Sequence, residues 1–148
     1  MEWKDIAVVS GKQGMYRVFK PTRSGMILEA IAKKKTKLVI NSSYRVSILQ
    51  EISLYTLDNE EGSVAIAEVF YRIHEKHGLK LEVKKDAQTL TDFITDILPN
   101  YDPKRVYVSD MKKVVSWYQI LAEFLPEMLE RKEVEEDAKE EENKEEKA

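Results

Sequence analysis

The apolar positions of this chain change their period once, near Asp58. Up to Leu57 they come in short runs separated by turn residues. Ile6-Ala7-Val8-Val9 is closed by Ser10-Gly11, and a mixed aromatic and β-branched run over 15–19 is ended by the segment 21–25, which opens on Pro21 and closes on Gly25. Residues 26–32 set Met26, Leu28 and Ala30 on one face and Ile27 and Ile31 on the other. A charged turn over 33–37 leads into Leu38-Val39-Ile40, and Asn41-Ser42-Ser43 turns the chain again. Tyr44, Val46 and Ile48 then alternate with Arg45 and Ser47, the period of a half-buried strand, and residues 52–57 add a last run. Short strands this close together predict a small SH3-like antiparallel β-barrel, because closing the sheet removes edges that would otherwise aggregate.

After an acidic turn over 58–63 the period becomes helical. Ala65, Ile66, Val69, Phe70 and Ile73 share one face, and Gly78 is placed to end that helix. Asp86 is placed to cap a second helix with the stripe Leu90, Phe93, Ile94 and Ile97, closed by Pro99. A third, capped at Ser109 with Asp110 in its first turn, carries Met111, Val114, Val115, Tyr118, Leu121 and Leu125. Pro126 should kink or restart it, since proline has no N–H to donate. Trp117, Phe124 and Met128 widen the apolar face, either for packing on the barrel or for a partner. The expected fold class is α+β: a barrel over 1–57, a helical domain of about three helices over 58–132, and an acidic tail over 133–148. The tail has almost nothing apolar beyond Val134 and is expected to be disordered.

Charge sharpens this division. Residues 1–57 hold ten Lys/Arg against four Asp/Glu, whereas residues 133–148 hold three against nine. The formal net charge of -3 therefore conceals a basic head and an acidic tail. Lys12, Arg17, Lys20, Arg23, Lys33, Lys34, Lys35, Lys37 and Arg45 lie in or between the predicted strands, interleaved with Tyr16, Phe19, Tyr44 and Tyr55. Cationic loops with aromatic platforms are one way that small modules hold nucleic acid; solvated lysines that blunt strand edges have the same composition. These nine cations are the candidate contact residues for RNA or a protein partner.

The chain offers little to catalysis. It has no cysteine, which removes disulfides and thiolate metal sites and favours a reducing, cytoplasmic setting. Gly11-Lys12-Gln13-Gly14 lacks the spacing of a phosphate-binding P-loop and reads as a tight turn. His74 and His77 are three residues apart, not in the H-E-x-x-H frame of zinc proteases, and fall in a last helical turn where the helix dipole favours them. Asp92 and Asp96 lie opposite an apolar stripe, and no serine has an activating context. No stretch approaches the about 18 apolar residues of a membrane span, and the charged start Met1-Glu2-Trp3-Lys4-Asp5 is unlike a signal peptide. No catalytic residue, metal site or cofactor is expected.

Several blocks carry a resemblance. The opening Lys4-Asp5-Ile6-Ala7-Val8-Val9-Ser10-Gly11-Lys12, the segment Phe19-Lys20-Pro21-Thr22-Arg23-Ser24-Gly25 and the stretch from Arg45 to Thr56 are similar to those of a family of small uncharacterised bacterial proteins, a domain-of-unknown-function family. Leu98-Pro99-Asn100-Tyr101-Asp102 and the stretch from Arg105 through Lys113 to Trp117-Tyr118 extend the likeness over nearly everything but the tail. It implies an SH3-like first part and a helical second part, and it implies no activity. A looser likeness joins Val8 to Val18 with the strand-turn-strand of KOW-type barrels, without their fuller glycine pattern. The leading expectation is a non-enzymatic binding or adaptor protein with a protein partner. The alternative is an RNA- or ribosome-associated factor that uses the basic barrel surface.

Overall fold

The structure, a computed structural model, describes residues 1–57 and 62–131. Within them the fold is α+β. A five-stranded antiparallel sheet is built from β1 (Ile6–Val9), β2 (Tyr16–Pro21), β3 (Gly25–Ala30), β4 (Lys37–Asn41) and β5 (Val46–Ile48), in the spatial order β4-β3-β2-β1-β5. A hairpin of β6 (Ser53–Tyr55) and β7 (Ser63–Ala65) leads into α1 (Ile66–His77), α2 (Ala87–Ile97) and α3 (Val108–Phe124). Single 3-10 turns stand at Trp3–Asp5, Leu49–Glu51 and Pro126–Leu129. The acidic turn residues 58–61 and the tail over 133–148 lie outside the described residues.

The sheet is not the closed barrel that the strand spacing predicts. Closure needs a ladder between β4 and β5, and those two strands are the sheet's edges. The turn after Asn41, with the Tyr44 N–H donating to the Asn41 carbonyl at 3.2 Å, delivers the chain to β1 and not back along β4. The three residues of β5 are then all paired to β1, at Ala7–Ile48, Val8–Ser47 and Val9–Val46. The sheet instead curls over a small core of Ala7, Val9, Leu28 and Ile40, flanked by Tyr16, Val18, Met26, Leu38, Val46 and Ile48. Curling buries one apolar face without completing the stagger that a barrel requires.

β1 joins this small core to the large one. Ala7 and Val9 face the curl, whereas Ile6 belongs to the core shared with the helices and Val8 packs against it. A strand buried on both faces reads as a continuous apolar run, which is what Ile6-Ala7-Val8-Val9 is. The helical core is formed by Ile66, Val69, Phe70 and Ile73 of α1, Leu90, Phe93, Ile94 and Ile97 of α2, and Met111, Val114, Val115, Tyr118 and Leu121 of α3. Trp117 packs against this core and Met128 is part of it. Trp3 fastens the N-terminus to α1: its ring stacks on Phe70 at 5.7 Å and its indole N–H donates to the Tyr71 hydroxyl at 3.0 Å.

Two helix ends follow the sequence and one departs from it. Gly78 ends α1 at φ +70°, and Asp86 caps α2 by accepting from the Thr89 N–H at 2.9 Å. That N–H and the Thr89 hydroxyl hold the Asp86 carboxyl below its ordinary pKa. The third helix begins two residues before Ser109 can cap it. Its N-cap is Tyr107, whose N–H donates to the Asp110 carboxylate at 2.9 Å. Pro126 restarts the chain as a 3-10 turn after α3 has ended at Phe124.

Burial pushes the Tyr118 hydroxyl up to about 12, and that hydroxyl donates to the Gly78 carbonyl at 2.6 Å. The bond ties the end of α1 to the middle of α3. Tyr118→Phe is expected to lower stability by about 1 kcal/mol, the usual net value of such a bond. Urea unfolding should show a lower midpoint at an unchanged m-value.

Candidate functional site

The outer face of β2, β3 and β4 carries the densest set of the sequence-predicted contact residues. Antiparallel pairing puts Arg17 opposite Glu29 and Glu29 opposite Lys37, so three charges cross the sheet as one row, positive, negative, positive. Arg17 and Glu29 form an ion pair at 3.5 Å. The Lys37 ammonium instead sits 4.2 Å from the centre of the Phe19 ring, with the Arg17 guanidinium 5.7 Å from the same ring. Both contacts are within cation–π range. The next row pairs Ile27 with Val39, and Val39 is 68% exposed. The register of β2 on β3 shifts between Val18 and Lys20, so Phe19 takes the extra position of a bulge, 40% exposed. The result is an apolar strip of Phe19, Ile27 and Val39 bordered by cations.

The other predicted cations are distributed around this sheet. Lys12 lies in the β1–β2 turn, 5.9 Å from the Tyr44 ring, and Ser10 beside it donates to the Arg45 carbonyl at 2.9 Å. That turn is opened by Gly11 and closed by Gly14, both in the left-handed region at φ +84° and +89°. Lys20 stands at the far end of β2 and Arg23 in the β2–β3 turn, both exposed. Lys33, Lys34 and Lys35 fill the loop into β4, also exposed, where the Thr36 carbonyl accepts from the Ala30 N–H. Of the nine cations, Arg17 alone has a carboxylate within 4 Å among the described residues. In the helical half Arg72, Lys76, Arg105 and Arg131 have acidic partners, whereas Lys80, Lys84, Lys85, Lys104, Lys112 and Lys113 have no carboxylate within 4 Å among the described residues. Arg131 grips both oxygens of Glu68 at 2.7 and 3.0 Å and one of Glu75 at 2.9 Å, which drives its already high pKa further up.

The remaining chemistry-bearing residues are held in structural contacts. His77 lies against Phe93 and 3.7 Å from the Asp96 carboxylate, which also accepts from Lys76 at 3.3 Å. The His74 carbonyl accepts the Gly78 N–H at 2.9 Å. Asp92 accepts from Gln88 at 2.9 Å. Among the described residues no three His, Asp or Glu side chains gather closely enough to hold a metal ion. Asp102 is buried, and its carboxyl is lowered first by the Lys104 N–H and then by Arg105. A lowered carboxyl stabilises the fold above its unfolded pKa, and the contribution is lost as pH falls through the folded value. A groove of about 550 Å³ between the end of α1 and α2 is lined by His77, Leu81, Val83 and Phe93 and is open to solvent. No helix of the described residues is long and apolar enough to cross a membrane.

Of the four interleaved aromatics, Phe19 and Tyr44 join the basic surface, whereas Tyr16 turns inward onto the small core. Tyr55 stands apart in the hairpin, under the Arg105 guanidinium at 4.4 Å. Val39 and Ile27 are surface members that charge reasoning does not reach. Their signal is the alternation Lys37-Leu38-Val39-Ile40-Asn41, which with Ile40 buried puts Lys37, Val39 and Asn41 outward.

The comparisons follow this same division of the chain. A solution NMR structure of a protein from Bacteroides vulgatus is similar at 28% identity, over 81% of this chain and 85% of that one, with a TM-score of 0.67. No curated protein matches. Residues 3–49, the curled sheet up to its last turn, match the family model of a domain of unknown function, DUF5606, and residues 52–121, the hairpin and helices, match that of another, DUF6852. The chain is thus similar to one domain of unknown function over its sheet and to another over its hairpin and helices.

Proposed function

We propose that this protein is a non-enzymatic binding module, an adaptor whose basic sheet receives an anionic partner. The observation that carries the reading is the exposed strip of Phe19 and Val39 set among cations of which, among the described residues, only Arg17 has a carboxylate within 4 Å. A surface cation without an anion nearby loses little by meeting one, and complementary charge speeds encounter more than it strengthens the complex. The exposed apolar strip adds area that water gives up on contact. The five-stranded sheet is the receiving part, and the helical core holds β1 in place through Ile6 and Trp3. A chain without cysteine suits the cytoplasm.

A protein partner fits Phe19 better than RNA does. A base stacking on that ring has to displace the Lys37 ammonium already 4.2 Å above it, whereas a carboxylate pairs with that ammonium where it stands. The RNA reading rests on the charge and on the exposed Tyr44 ring, 5.9 Å from the Lys12 ammonium. Fluorescence anisotropy with the full chain separates the two: a labelled polyglutamate peptide should bind at low salt and release as salt rises. Poly(U) binding more tightly than polyglutamate would move the assignment to an RNA factor. A purified chain that binds neither, at any salt, would end the binding-module reading of this face.

A further inference from the structure

The β4 edge has a chemistry of its own. β4 pairs with β3 along its whole length, from Lys37–Glu29 to Asn41–Gly25, and no described strand lies on its other side. Alternate N–H and C=O groups of an edge strand point outward and can accept another strand. Edges are usually blunted by brevity, proline or charged side chains, lysine above all. β4 has five residues, no proline, a lysine only at its start, and an outward valine at its centre that is 68% exposed.

The rows crossing the sheet define what an added strand must carry. The first row runs Arg17, Glu29, Lys37, alternating in sign and stopping on a positive charge at the edge. Its next member is an acid. The second row runs Lys20, Ile27, Val39 and stops on an exposed apolar side chain at the edge, so its next member is apolar. The third pairs Gly25 with Asn41 and continues with a polar residue. Neighbours on one face of a strand are two residues apart, and directly opposed side chains on adjacent strands lie about 5 Å apart. Lys33, Lys34 and Lys35, immediately before β4, extend the positive end beyond the strand itself. Resting on the proposed function above, we infer that the partner is an extended acidic peptide segment that adds as a sixth strand along β4, with an acidic side chain beside Lys37 and an apolar one beside Val39. Main-chain bonds to the edge supply the affinity in this mode, and the alternate side chains supply the selectivity.

The test uses the full chain, labelled for amide hydrogen exchange, with two capped synthetic peptides of equal length. One repeats Glu-Thr-Val-Thr, which sets glutamate and valine two residues apart on one face; the other repeats Lys-Thr-Val-Thr. The expected result is slowed exchange at outward amides of β4 with the glutamate peptide, and binding about ten-fold tighter than for the lysine peptide at low salt. Lys37→Gln, which sets no second acid opposite Glu29, should narrow that preference while leaving the free protein's exchange pattern intact. Binding of the glutamate peptide without protection in β4 would overturn strand addition and leave the anionic-partner reading standing. Protection of β4 in the free protein that grows with its concentration would overturn it in favour of a second copy of this chain. Binding of poly(U) but of neither peptide would overturn both the inference and the protein-partner reading.

Discussion

Gly25→Ala is expected to separate β3 from β4 and to cost about 3 kcal/mol or more, a large share of the stability of an ordinary domain. A methyl group on Gly25 would fall inside contact distance of the Ile40 carbonyl, and the atoms it meets are backbone, so no rotamer change relieves the overlap. The strands must move apart at the Gly25–Asn41 and Met26–Ile40 pairs. Ile40 is buried in the small core, so the movement also opens that core. Gly14→Ala is the control. It meets no atom within 4 Å and is strained only by its φ of +89°, which predicts a loss of about 1–2 kcal/mol. Urea unfolding of the two variants should rank them in that order, with Gly25→Ala also losing exchange protection across β3 and β4. Equal stability of Gly25→Ala and the parent chain would mean that these two strands do not approach as described.

The same close pairing explains why part of this fold is legible in the sequence and part is not. The helical stripes are local: Leu90, Phe93, Ile94 and Ile97 define their face without reference to anything else. The Gly78 and Asp86 ends are local too. The start of α3 is missed because Tyr107 is not a capping residue by type. The acid that satisfies its N–H, Asp110, lies three residues on and reaches back. β1 hides its orientation because both faces are buried, so alternation has no contrast to report. Closure of the sheet is not local at all. It depends on whether β5 meets β4 or β1, and five short strands leave both pairings open until the turn at 41–45 is placed. β7 is only three residues long and runs straight into α1, so helical periodicity absorbs it.

Charge shows a similar split. That residues 1–57 are basic is plain from composition, and the nine cations are readable one by one. That Arg17, Glu29 and Lys37 form a row is not, since they are eight to twelve residues apart and meet only through the register. The bulge at Phe19 is equally invisible, yet it turns an expected strand residue into the centre of the surface.

Reversing Lys33, Lys34, Lys35 and Lys37 to glutamate is expected to lower affinity for an acidic peptide by on the order of 10²-fold at low salt, with only a small loss of stability. Each exposed pair is worth a fraction of a kcal/mol, and reversal replaces four attractions by four repulsions. The loss of stability should stay at about 1 kcal/mol or below: none of the four has a carboxylate within 4 Å among the described residues, but Lys37→Glu gives up the contact with Phe19 and sets an acid directly opposite Glu29. The difference should shrink as salt approaches 1 M, where the screening length is about 3 Å. Residues 133–148 provide an internal check, since nine acids against three lysines on the same chain compete for the face. A tethered competitor has an effective concentration on the order of millimolar, so a millimolar intrinsic affinity halves the free face. Neutralising those acids to glutamine and asparagine should therefore raise peptide affinity about two-fold in the parent chain and leave the reversed variant unmoved. A reversed variant that still bound the acidic peptide as the parent does would place the contact elsewhere on the molecule. Isothermal titration of the four proteins at low and high salt, with circular dichroism on each, decides the matter.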